Sequence, residues 1–103
     1  MKRNIIVLGG GLVGSVIARD LAKRHNVTVA EISEERRNYL HTFGLKTVHL
    51  DAGPSGMIKQ LVKDYDLVVG ALPGHLGFNA ATEILEAGKN LVDISFFPED
   101  VFL

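Results

Sequence analysis

Gly9, Gly11 and Gly14 stand in the spacing G-x-G-x-x-G inside the opening stretch NIIVLGGGLVGSVIARDLA. Glycines at that spacing let a backbone turn sharply and come close to a diphosphate, while the helix that follows offers bare N–H groups to the anion. Gly9 suits the tight turn, Gly11 leaves room for phosphate, and the N–H groups of Leu12 and Val13 would meet it at the positive end of the helix dipole. Glu31 follows, seventeen residues past Gly14, at a distance where a strand-end carboxylate accepts both hydroxyls of an adenosine ribose. The chemistry these residues could do is to hold a dinucleotide. A carboxylate at Glu31 repels a 2′-phosphate, so NAD is favoured. Arg36 and Arg37 keep NADP open, although their plainer reading is a solvated helix face.

The elements that must position these residues alternate along the chain. Ile5 to Leu8 form a continuous apolar run, as in a central parallel strand covered on both faces. Gly14, Ile17, Ala18, Leu21 and Ala22 then recur as one helical stripe, and Gly14 faces the sheet, where lacking a side chain allows close approach. His25-Asn26 suits a left-handed end to that helix, and the second strand runs from Val27 to Glu31. Ser33 predicts an N-cap for a helix through Phe43, with Tyr39, Leu40 and Phe43 inward and Gly44 as its stop. A third strand, Thr47 to Leu50, ends at Asp51, and Ala52-Gly53-Pro54 turns into a helix carrying Ile58, Leu61, Val62 and Tyr65. Leu67 to Val69 form a fourth strand. A fourth helix places Gly77, Ala80, Ala81, Ile84, Leu85 and Gly88 on one stripe, and Leu91 to Ile94 form a fifth strand. This rhythm predicts one α/β domain over residues 1–103, a Rossmann-type doubly wound parallel sheet with helices on both faces. Its five strands take the order 3-2-1-4-5, which leaves a ligand crevice at the switch between strands one and four.

Residues at the carboxyl ends of those strands border the crevice. Ile32 follows Glu31 there. Asp51 could accept from the adenine amino group, or equally cap its own turn, with Ala52 beside it. Ala71, Leu72 and Pro73 form a loop running beside the cofactor toward the nicotinamide, and Ser95 borders the same region. Asp93 lies within its strand, where it satisfies local backbone, and takes no catalytic role. Of the four histidines, His25 reads as a helix terminus, His41 as surface and His49 as a strand residue. Only His75 falls in a crevice loop, where it lacks an orienting partner for proton transfer. No pair of histidines or carboxylates has metal-ligand spacing.

Composition narrows the partners. The 103 residues carry 11 basic and 12 acidic side chains, for a net charge of −1. With no basic cluster longer than two, nucleic acid and anionic membrane find no electrostatic footprint. The absence of cysteine excludes disulfides, thiol nucleophiles and cysteine-bound metals. Lys2-Arg3 followed by apolar residues imitates a secretory leader, but glycines interrupt the run and Arg19-Asp20 closes it. It is also too short to span a bilayer, and the expectation is a cytoplasmic protein.

The glycine turn, Glu31, LVVGALPG at residues 67–74 and AGKNLVDIS at residues 87–95 together resemble the N-terminal cofactor domain of the saccharopine dehydrogenase family. The similarity is to its lysine dehydrogenase or saccharopine-reductase-like branch, and extends over essentially the whole chain. The LPG turn and the segment after it are its more specific parts. The resemblance implies a role in lysine metabolism, with NAD(P)-dependent oxidation or reduction at an amine-bearing carbon of an amino acid. It implies cofactor contacts at Gly9, Gly11, Leu12, Val13 and Glu31, and at Ala71, Leu72 and Pro73. Family members continue into a second domain that supplies the pocket for a small amino-acid substrate and most oligomer contacts, whereas this chain stops at Leu103. Its last eight residues hold three of the five phenylalanines, an apolar end unlike a natural surface tail. The expectation is a cofactor domain cut from a longer enzyme, or a terminus that pairs with a copy of itself as a homodimer. The other function class is a nucleotide-sensing module resembling the RCK and KTN domains of potassium transporters and channels. Such modules carry Gly-Asp-Ala after strand three and lack the Leu72-Pro73-Gly74 turn.

Overall fold

The computed structural model describes residues 2–50, 57–72 and 84–93. In chain order the elements are β1 (Asn4–Leu8), α1 (Leu12–Leu21), β2 (Asn26–Glu31), α2 (Glu34–His41), β3 (Lys46–His49), α3 (Met57–Leu61), β4 (Leu67–Gly70) and β5 (Asn90–Asp93). All paired strands run parallel. They form one five-stranded sheet in the order β3-β2-β1-β4-β5, the Rossmann-like arrangement expected.

β1 is central because its apolar run can be covered twice. Side chains alternate across a strand, so Ile6 and Leu8 enter one core with Ala30, Leu50, Ile58, Val62, Val68, Leu72 and Ile84. Ile5 and Val7 enter the other with Ala18, Val27, Val29, Leu40, Leu45 and Val69. α1 and α2 supply the helical residues of this second core, α3 those of the first.

The amino ends of the strands are stitched by polar contacts. The Asn4 N–H donates to Asp66 Oδ2 at 2.9 Å, and the Asp66 N–H donates back to the Asn4 carbonyl at 2.7 Å. The Arg3 N–H donates to His25 Nδ1 at 3.1 Å, and the Asn26 amide donates to Asn4 Oδ1 at 3.2 Å. The polar contacts tie this end together, and the first turn of α1 opens at the other.

Several predicted details are corrected. No non-glycine residue takes a positive φ among the described residues, so His25-Asn26 forms no left-handed turn. α1 instead ends on Ala22 in right-handed geometry, with the Ala22 N–H bonded to the Ala18 carbonyl, and Asn26 already opens β2. Ala22 is exposed, outside the buried stripe, and Ile17 and Leu21 are half-buried. α2 stops at His41 and buries only Leu40, whereas Tyr39 and Phe43 are exposed. An eight-residue helix directs one residue squarely at the sheet, and Phe43 lies beyond its end. The two aromatics pack edge to face, with centroids 5.1 Å apart, and the Arg19 guanidinium lies 3.9 Å from the Phe43 ring centre.

β3 is shifted by one residue from the predicted range. α3 gives way to a 3₁₀ turn over Val62–Asp64, which leaves Tyr65 outside any helix but against the core. Of the fourth stripe, Ile84 is buried while Leu85 is exposed, and Gly88 lies in the turn after helical residues 84–86. Gly77, Ala80 and Ala81 lie outside the described residues.

Ser33 does cap α2. Its hydroxyl oxygen accepts from the Arg36 N–H at 3.2 Å, and Gly44, with φ +75°, stops the chain after the helix. Ser33→Ala is expected to lose about 1 kcal/mol of stability, read as a fall in melting temperature of about 4–8 °C. An unchanged melt would mean that the cap contributes nothing.

Candidate functional site

The glycine turn is pinned from two sides. The Gly9 N–H donates to the Ala30 carbonyl at 2.8 Å, and the Ala71 N–H donates to the Leu8 carbonyl at 2.9 Å. The turn therefore sits where β1 lies between β2 and β4, at the reversal of strand order. Gly9 has φ +98°, and a Cβ built on it would lie 2.8 Å from the Ala71 carbonyl oxygen. Both the conformation and the space call for glycine there. A Cβ on Gly14 would collide with the Gly9 carbonyl oxygen and lie 3.3 Å from Ala71 Cβ. Gly14 thus brings α1 down onto the turn itself.

Gly11 differs from both. Its φ of −69° and ψ of −167° suit any residue, and a Cβ on it would meet nothing within 4 Å. What its missing side chain leaves is open space at the start of α1. The first bond of the helix runs from the Ser15 N–H to the Gly11 carbonyl at 2.8 Å, so the N–H groups of Leu12, Val13 and Gly14 have no partner inside the helix. Donors, dipole and space coincide in the way an anion requires.

Glu31, at the end of β2, uses both carboxylate oxygens. Oε1 accepts from the Gly10 N–H at 2.7 Å and Oε2 from the Ser33 N–H at 2.8 Å. A carboxylate offers about four acceptor positions, so two remain for ribose hydroxyls. The two arginines separate here. One Nη1 of Arg37 donates to the carbonyls of Glu31 at 2.8 Å and Ile32 at 2.9 Å, clamping the β2–α2 turn. The Arg36 side chain is exposed. Ile32 stands at the lip of the crevice, also exposed.

The structure brings together Gly9, Gly11, Leu12, Val13, Gly14, Glu31, Ile32, Ala71 and Leu72. Leu72 is there with its side chain buried in the core. Asp51, Ala52, Pro73, Ser95 and His75 lie outside the described residues. His41 Nε2 pairs with Thr47 Oγ1 at 2.7 Å, and His25 belongs to the amino-end stitching. Two grooves of about 470 Å³ lie elsewhere, one between α1 and the end of α2 beside Arg19 and Phe43, the other by Asn4, His25 and Tyr65. Among the described residues no group of three His, Cys, Asp or Glu could hold a metal ion, and no helix is long and apolar enough to cross a membrane.

Sequence reasoning missed Gly10. A Cβ there would lie 2.8 Å from Leu40 Cδ1 and 3.2 Å from Glu31 Oε1, so any larger residue would push on the Leu40 side chain and on the carboxylate. The signal available was the run of three consecutive glycines, one more than the spacing demands.

The family model for the saccharopine dehydrogenase NADP binding domain matches residues 5–101. The chain belongs to that family. Its cofactor class is accordingly NAD(P), and the open space at Gly11, the free N–H groups of α1 and the spare acceptor positions of Glu31 fit such a molecule. Among solved structures, the chain is similar to L-glutamate-forming saccharopine dehydrogenase from Saccharomyces cerevisiae. The identity is 24% and the TM-score 0.80, over 92% of this chain and 22% of that one. It therefore spans about a fifth of that enzyme's length. It is also similar to the TrkA-N domain of the inner membrane protein ybaL from Escherichia coli, at 20% identity and a TM-score of 0.70, over 98% of this chain and 78% of that one. An imine reductase from Myxococcus stipitatus in complex with NAD+ matches at 22% identity and a TM-score of 0.65, over 92% of this chain and 32% of that one. At these identities the likeness is one of fold.

Proposed function

We propose that this chain is the cofactor-binding part of an amino-acid oxidoreductase of the saccharopine dehydrogenase type, acting at an amine-bearing carbon. NAD(P), when bound, supplies the hydride acceptor or donor. The residues of this chain hold it. The N–H groups of Leu12 and Val13 take the diphosphate, Gly11 gives it room, Glu31 accepts the adenosine ribose hydroxyls, and Ile32 flanks the adenine. The backbone of Ala71 and Leu72 runs beside the nicotinamide end, and cofactor contacts are proposed for Pro73, Asp51, Ala52 and Ser95 as well. The amino-acid substrate and the acid or base that moves its proton are assigned to a second domain, and the role proposed for residues 1–103 is cofactor binding.

The observation that carries this reading is the open space at Gly11 beneath unpaired N–H groups at the β1/β4 switch. Calorimetric titration with NADH and NADPH tests it. Both are expected to bind one to one, with NADH the tighter because Glu31 favours a free 2′-hydroxyl and Arg36 alone is available to a 2′-phosphate. No binding of either to the folded domain would overturn the assignment.

A second reading, a nucleotide-sensing module, is favoured by the fold likeness to the TrkA-N domain, which covers most of both chains. The sequences Leu50-Asp51-Ala52-Gly53-Pro54 and Leu72-Pro73-Gly74 speak for the oxidoreductase. Nicotinamide-dependent oxidation of an amino acid by the longer protein, with no response of any transporter, would decide between them.

A further inference from the structure

The geometry points to Glu31 as a positioning residue for the diphosphate-binding turn, acting through the Gly10 N–H, in addition to reading the ribose. The inference rests on the dinucleotide reading above. Three glycines in a row, Gly9 to Gly11, form the loosest segment a chain can have, and ordering them on binding draws on the binding energy. Each is pinned in the structure. The Gly9 N–H goes to the Ala30 carbonyl and the Gly11 carbonyl receives the Ser15 N–H, both backbone contacts that any sequence could make. Gly10 alone is pinned by a side chain, through a 2.7 Å bond to Glu31 Oε1.

The other end of that carboxylate is fixed in turn. Glu31 Oε2 holds the Ser33 N–H, and Arg37 holds the carbonyls of residues 31 and 32. The side chain therefore bridges two turns that lie 21 residues apart. Bonds from N–H to an ionised acceptor are about twice as strong as neutral ones. Removing the carboxylate frees the middle of the glycine run, and the turn must then be ordered afresh each time an anion binds.

A residue which only reads ribose predicts otherwise. If Glu31 merely repels a 2′-phosphate, Glu31→Ala strengthens NADPH binding. If it also braces the turn, Glu31→Ala, which loses charge and acceptor together, binds NADPH about tenfold or more weaker than Glu31→Gln, which loses the charge alone. Glu31→Gln keeps an oxygen for the Gly10 N–H and sheds the charge that repels a 2′-phosphate, and is expected to bind NADPH at least as tightly as the wild type while NADH is weakened.

The experiment is titration of the wild type and both variants with NADH and NADPH, beside amide NMR spectra of the free proteins. In the wild type the Gly10 amide proton is expected downfield and slow to exchange, and in Glu31→Ala upfield and fast. Dispersed spectra verify that the variants fold, and Glu31→Gln keeps the test alive if Glu31→Ala does not. NADPH affinity in Glu31→Ala equal to that in Glu31→Gln, or a Gly10 amide that ignores the substitution, overturns the brace. If the wild type binds neither nucleotide, the dinucleotide reading fails, and the Gly10 amide alone decides whether the brace exists.

Discussion

Gly14→Ala is expected to destabilise the domain by about 3 kcal/mol, the upper end of what overpacking costs. Within a helix, alanine is ordinarily better than glycine by about 1 kcal/mol, so helix propensity alone predicts a gain. The contact decides the sign. The added Cβ would collide with the Gly9 carbonyl oxygen, a backbone atom held in a turn whose own N–H is bonded to Ala30. Neither side can yield by rotating a side chain, so α1 must lift from the turn. Denaturant unfolding of both proteins measures the effect, and a more stable Gly14→Ala would show that α1 does not rest on the turn.

Gly11→Val is expected to leave stability within about 1 kcal/mol of the wild type, since the feature it touches is the N-cap of α1, where apolar residues rank below glycine by about that much. Nucleotide affinity should fall by at least about a hundredfold, or some 2.7 kcal/mol. An extended backbone accepts valine without strain, and no atom lies within 4 Å of the new Cβ. The side chain fills the space proposed for the diphosphate and shields the N–H groups of Leu12 and Val13. Thermal melts with calorimetric titration separate the two effects. Retained affinity would move the diphosphate away from Gly11. Two glycines of one motif thus have opposite phenotypes, one setting the fold and the other the ligand.

What the sequence revealed follows from the range of the forces involved. The buried run of β1, the Ser33 cap and the turn at Gly9 are local patterns, legible because propensity and packing agree there. Strand order followed from alternation, since short parallel connections admit few topologies. The inward set of α2 was not legible. Tyr39 and Phe43 are apolar enough to suggest a core, but they find each other and Arg19 at the surface instead. The 3₁₀ turn at Val62 likewise keeps Tyr65 on the core without continuing the helix. At the site, Gly9, Gly11, Gly14 and Glu31 could be read from spacing. Gly10 could not, because its constraint comes from Leu40 and Glu31 across the fold, and a variable position in a motif carries no sign of it. The division of labour between Arg36 and Arg37 was hidden for the same reason, since neighbours in sequence part company when one guanidinium folds back onto backbone carbonyls.

The two faces of the sheet are filled at different times during synthesis. Among the described residues, every buried one on the α1/α2 face except Val69 lies at or before Leu45, whereas the opposite face waits for Ile58, Val62, Val68, Leu72 and Ile84. A nascent chain emerging amino end first can therefore assemble β1, α1, β2 and α2 into a half-built layer while its later residues are still on the ribosome. Ile6, Leu8 and Ala30 lie bare on the other side until the rest arrives. The glycine turn belongs to the early half, and Ala71, against which it closes, to the late one.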